Sequence, residues 1–248
     1  MKSKLLTVIL IFILSSLTAQ SISEIKKNST PIYGRMTGEY TPDREQFEKI
    51  KNILEEDVFT YFNLENQYNS ELKKKVYKAS EEFKKKSDLL KELKVELLKE
   101  DFYLDFQPAY YERNNLIEYD LDKNSFTVAN EVSIYLLCEK ENFIQFGRIL
   151  VKPIPGLSIN KNKYTAANGG VYVDQYISFI INNEKIALKI EENRSNLKLL
   201  FNFKFANIFP YPSSIVESSK LGLVTDLESV IAYNSKTNEI YHIYIKNE

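Results

Sequence analysis

The sequence predicts an α+β protein, two N-terminal amphipathic helices followed by an antiparallel β-rich region. Three observations predict it. Between residues 42 and 97 apolar side chains recur at three- and four-residue steps, the period of a helix with one buried face. After residue 100 the texture shifts to alternation, the period of a strand with one buried face. The chain holds 7 glycines and 7 prolines in 248 residues, too few for a loop-rich or disordered polymer.

The first element is a leader. Lys2 and Lys4 precede an apolar run from Leu5 to Leu14 interrupted only by Thr7, and Ser15, Ser16, Leu17, Thr18 and Ala19 follow, small or weakly polar apart from Leu17 at the −3 position. That order of charge, apolar run and small residues is the pattern of a secretory signal peptide, with the cut expected after Ala19. The run is shorter than the roughly 20 apolar residues that span a bilayer. No later run reaches that length, so no integral membrane span is expected after cleavage. Without the leader the 33 basic residues fall to 31, against 34 acidic ones. Such a balance draws neither nucleic acid nor an anionic membrane over long range. Cys138 is the single cysteine, so no disulfide can form within the chain and stability rests on the core.

Residues 20–40 lack a sustained period and read as an arm or linker before a helical region, 41–100. Thr41-Pro42-Asp43 is a helix start: a hydroxyl cap, a proline at the first position and an acid at the positive end of the dipole. Phe47, Ile50, Leu54, Val58 and Tyr61 carry that helix to about residue 62. Leu72, Val76, Ala79, Phe83, Leu90, Leu93 and Leu97 mark the buried face of a second. Its lysine triplets, 73–75 and 84–86, have two readings, a docking surface or a solvated face; Glu81, Glu82, Glu92 and Glu96 among them favour the solvated face with mutually supporting charges.

The β-rich region spans 101–248 and forms one globular domain with the helices. Leu197, Leu199, Phe201, Phe203 and Phe205 share one strand face; Lys198, Asn202 and Lys204 share the other, with Leu200 its one apolar exception. Two hairpins are expected. One joins Leu116–Tyr119 to Ser125–Val128, the other Leu227–Tyr233 to Ile240–Ile245 across Asn234–Glu239. Residues 125–144 also align without gaps to 178–197, with Ser125/Ser178, Phe126/Phe179, Asn130/Asn183, Glu131/Glu184 and Glu139/Glu192 identical. This weak internal duplication implies two units of strand, corner, short helix and strand.

Four constellations bear on chemistry. Asp120-x-Asp122-x-Asn124 with Glu131 at the twelfth position matches the oxygen spacing of a calcium loop. Ser125 stands where that loop needs glycine, and the flanks read as strands, so a polar hairpin turn competes with it. His242 is the single histidine; a multi-histidine zinc site is excluded, and no Gly-x-Ser-x-Gly elbow presents a serine to it. Cys138 lies among Ile134, Tyr135, Leu136 and Leu137, the setting of a buried thiol. Asp101, Asp105, Asp174, Glu191 and Glu192 are the carboxylates from which a glycosidase pair would be drawn, with Tyr103, Tyr110, Tyr111, Tyr172 and Tyr176 as stacking platforms for sugar. Asn168-Gly169-Gly170 is a turn, since no lysine-hydroxyl pair follows it.

The expectation is an exported periplasmic or secreted bacterial protein, a non-catalytic module that binds an envelope or extracellular protein or polymer. No cofactor and no nucleic acid are called for. The alternative is an extracytoplasmic hydrolase acting on a polymer through a carboxylate pair.

Overall fold

A computed structural model of the chain describes residues 22–32, 44–106, 117–129, 144–146, 149–151, 154–165, 171–211 and 220–246. Helices and antiparallel-rich sheets make up the α+β fold. Among the described residues the larger sheet has seven strands. Its order is β1 (Thr30–Pro31), β2 (Phe102–Phe106), β9 (Leu197–Tyr211), β10 (Lys220–Asn234), β6 (Ile149–Val151) and β5 (Ile144–Phe146). β11 (Ile240–Ile245) also pairs with β10. The far edge of β10 is thereby shared: β6 lies parallel to Leu223–Thr225 and β11 antiparallel to Ser229–Tyr233. The smaller sheet is β3 (Ile117–Asp120), β4 (Ser125–Ala129), β8 (Val171–Ile180) and β7 (Leu157–Thr165).

Alternation on β9 sorts the larger sheet into two faces. Leu197, Leu199, Phe201, Phe203 and Phe205 are all buried, and Phe102 and Leu104 of β2 stand opposite Phe203 and Phe201. This inner face meets Ile50, Ile53 and Leu54 of α2 (Arg44–Glu55) and Leu90 and Leu97 of α5 (Glu81–Leu97), together with Phe126, Ile177 and Phe179 of the smaller sheet. One core thus joins helices and both sheets. Tyr244 of β11 reinforces the junction by donating a 2.7 Å hydrogen bond to the Ile180 carbonyl of β8.

Each of the two expected helices is broken in two. In the first, Glu56 turns through a positive φ of 55° and Asp57 caps a new helix, α3 (Val58–Tyr61), by accepting from the Phe59 and Thr60 amides. In the second, α4 (Glu71–Lys78) ends before Ser80, whose hydroxyl accepts from the Phe83 amide and opens α5. The side-chain caps satisfy amides that a helix start leaves without partners. The expected start at Thr41-Pro42-Asp43 lies outside the described residues.

Within the 20–40 arm, residues 22–28 are helical (α1), and Thr30–Pro31 pairs in parallel with β2. α1 covers the outer face of the larger sheet, where Ile22 packs with Leu200, Ile231 and Tyr233. Leu200, the apolar exception on the outer face of β9, is fully buried for this reason.

Both hairpins form. β3 and β4 flank a turn at 121–124, with Asn124 at φ 49°. β10 and β11 flank a turn in which the Asn234 side chain accepts from the Lys236 and Thr237 amides and donates to the Tyr241 hydroxyl. The starts of the two aligned segments meet in the smaller sheet: β4 and β8 pair antiparallel with Phe126 opposite Phe179. Residues Glu184–Glu192 of the second segment form α6, capped by Asn183. The matching stretch of the first segment, 130–143, lies outside the described residues.

Candidate functional site

Of the calcium-like spacing, the side-chain oxygens of Asp120 and Asn124 are engaged at the β3–β4 turn. Asp120 Oδ1 accepts from the Asp122 and Lys123 amides at 3.0 and 3.1 Å, and Oδ2 from Lys123 Nζ at 2.7 Å. Those bonds hold the Asp120 carboxyl below its usual range, with the Lys123 ammonium the largest cause. Tyr119 Oη reaches Asn124 Oδ1 at 3.4 Å and the Ile181 carbonyl at 3.0 Å. Glu131 lies outside the described residues, as do Cys138, Tyr110, Tyr111 and Asn168 to Gly170. Among the described residues no group of three or more His, Cys, Asp or Glu side chains is placed to hold a metal.

His242 is exposed on β11 opposite Ala232, its ring edge-on to Tyr244 at 4.5 Å. The carboxylates are dispersed. Glu191 binds Arg194 at 3.0 Å, and Glu192 is exposed on α6. Asp174 lies on β8 opposite Asn162. Asp101 and Asp105 sit four residues apart along one extended segment, about 13 Å at the rise of a strand. Each is held by lysines: Lys204 stands 3.4 Å from Asp101 and 3.4 Å from Glu228, while Lys26 and Lys198 stand 2.8 and 3.5 Å from Asp105.

Asp105 is the hub of a clasp. Tyr233 Oη donates to its carboxylate at 2.8 and 3.0 Å, and Lys26 Nζ of α1 donates both to that carboxylate and, at 3.1 Å, to Tyr233 Oη. Tyr233 is buried, and burial together with the Asp105 carboxylate raises its phenol far above the usual range. The hydroxyl therefore stays protonated and works as a donor. The clasp fastens α1 to β2 and β10 beside the Leu200 contact. Asp105→Ala is expected to lower stability by about 2 kcal/mol, because it leaves the buried Tyr233 hydroxyl without its acceptor. The loss should also free α1, so trypsin should cut after Lys26 and Lys27 faster than in the parent protein. Unchanged cleavage there would show that Asp105 does not fasten the arm.

A different surface emerges on the helices, at residues expected in the core. α4 buries Tyr77, which stacks on Tyr68 at 4.0 Å and meets Phe59 and Phe83 edge-on at 5.9 and 5.7 Å. Lys74 and Lys78 of the same helix lie over the Phe59 ring at 5.7 Å each, and Lys86 lies over Phe62 and Tyr77. Tyr77 also donates to Glu82, which pairs with Lys86 at 2.8 Å. With Tyr77 turned inward, Leu72 and Val76 point the other way. They are 72% and 67% exposed, and Ala79 beyond them is exposed too. At about 100° per residue, these three line one face of the helix, Lys75 flanks it on one side and Lys73 on the other.

Isolated exposed apolar residues are ordinary on protein surfaces; an apolar row aligned on one helix face is the feature associated with contact. The row was hidden from sequence reasoning because it continues the three- and four-residue steps of the α5 core across the Ser80 break. The available signal was Ser80 with Glu81 and Glu82 behind it, the composition of a helix start.

No protein-family model, curated protein or solved structure matches the chain. Among the described residues no helix is long and apolar enough to cross a membrane.

Proposed function

We propose that the protein is exported and that, outside the cytoplasm, it serves as a non-catalytic binding module, attaching through the outward face of α4 to another component of the envelope or cell surface. The observation that carries this reading is the exposed row Leu72–Val76–Ala79 on a helix whose opposite side is anchored by the Tyr68–Tyr77 stack. A helix that buries a tyrosine while presenting leucine and valine to water gives up apolar burial, about 1.5–3 kcal/mol for each large side chain. A partner that covers the row recovers it.

Export is supported by the leader pattern of residues 1–19 and by the place of Ile22, buried against the sheet three residues beyond the expected cut. Cleavage after Ala19 leaves the α1 contact intact.

Fractionation of the producing cells tests both parts. The expected result is a species beginning at Gln20 that pellets with the envelope, while a Leu72→Glu/Val76→Glu variant is cleaved equally but stays in the soluble extracytoplasmic fraction. Full-length protein in the cytosol would overturn export. A double variant that still pellets would overturn the assignment of the face.

A further inference from the structure

We infer that the component covering α4 is the surface of an anionic lipid bilayer; the inference rests on the reading of α4 as the contact face. The argument is one of charge complementarity and shape. α4 carries four lysines against one glutamate, and Glu71 stands at its first position. Among the described residues, the two lysines that flank the apolar row have no carboxylate partner: Lys73 Nζ reaches the Asn69 side-chain oxygen at 3.2 Å, and no ion pair engages Lys75. The remaining pair, Lys74 and Lys78, is turned back over Phe59. The outward face is therefore a narrow apolar ridge between two ammonium groups that no carboxylate neutralises.

A bilayer surface offers the complement of that arrangement, with phosphate charge at the level of the ammoniums and acyl chain below it. Lysine stems lie along the apolar ridge and extend their heads to the phosphates, while Leu72 and Val76 enter the headgroup–acyl boundary. A ridge of two large side chains is too small to hold the protein on lipid alone, so the lysines contribute an essential share. Binding is consequently local, reversible and sensitive to salt, in a chain whose 31 basic and 34 acidic residues after loss of the leader supply no long-range attraction.

The absence of tryptophan from the chain permits a direct test, because Leu72→Trp introduces a single indole at the ridge. The variant is mixed with vesicles of phosphatidylglycerol and phosphatidylcholine at 3:7, and separately with pure phosphatidylcholine. The expected result is a blue shift of the indole emission with the anionic vesicles, little or none with the zwitterionic ones, and at least a ten-fold weaker partition for Lys73→Glu/Lys75→Glu in the same background. Raising the salt should release the bound protein. An equal shift with both vesicle types would overturn the anionic requirement, and no shift with either would overturn the lipid.

A photocrosslinking residue at position 76, used in the intact producing cell, separates the inference from the reading beneath it. Crosslinks to lipid support both. Crosslinks to an acidic protein would leave the α4 face as the contact surface and overturn the lipid as its partner. No crosslink of either kind would overturn both.

Discussion

Phe203→Ala is expected to destabilise the protein by about 3–5 kcal/mol, the cost of removing a buried aromatic side chain whose surroundings cannot collapse. Phe203 is fully buried on β9, a strand paired on both sides, opposite Phe102 of β2 and Leu227 of β10. Its ring lies 6.4 Å from Phe102 and 5.6 Å from Phe205, and all three belong to the core that receives α2 and α5. Backbone pairing on both flanks prevents β9 from moving into the void. In a chain of this length the loss corresponds to about 10 °C in the thermal midpoint. Phe203→Leu, which retains most of the volume, should lose much less. A midpoint unchanged by the alanine would mean that β9 is not the centre of the core.

Gly156→Ala is expected to cost about 3 kcal/mol for reasons that do not involve a cavity. Gly156 has a φ of +86°, a conformation that side chains with a Cβ rarely adopt. A Cβ there would also lie 2.8 Å from Cδ1 and 2.9 Å from Cε1 of Tyr244. Tyr244 has little room to yield, since it is buried and its hydroxyl is bonded to Ile180, whose amide in turn donates to the Gly156 carbonyl at 2.9 Å. The strain would fall on the seam between the two sheets. A double-mutant cycle separates its parts: in a Tyr244→Ala background the steric share should vanish and the backbone share, about 1–2 kcal/mol, remain. Additive losses in the cycle would show that the ring and the glycine do not meet.

Much of this architecture was legible from residue spacing. The alternation of Leu197 to Phe205 identified the central strand and its buried face, and Asn234 to Glu239 marked a hairpin, because both signals are local and periodic. Leu200 looked anomalous on the polar face of that strand. Its cover is α1, which comes from a segment with no sustained period and is held by contacts far apart in sequence. Lys26 and Asp105 are 79 positions apart, and Asp105 and Tyr233 are 128 apart. No window of sequence contains that clasp.

The helices misled for a different reason. Leu72, Val76 and Ala79 keep step with Phe83 and Leu90, so periodicity alone extends one buried face through a point where the chain turns. Which side of α4 faces inward was decided by Tyr68, a residue outside any helix that offers Tyr77 a stacking partner. The exposed apolar row thus follows from the aromatic cluster that turns Tyr77 inward, and it lies where hydrophobic patterning predicts core.

Thiol accessibility tests that point most directly. In a Cys138→Ser background, single cysteines are placed at positions 72, 76 and 77 and reacted with a maleimide in the native protein. Labelling at 72 and 76 is predicted to be as fast as in denaturant, with position 77 protected by at least an order of magnitude. Protection at 72 and 76 with rapid labelling at 77 would contradict the account, because α4 would then turn its leucine and valine into the core and leave no apolar face for a partner.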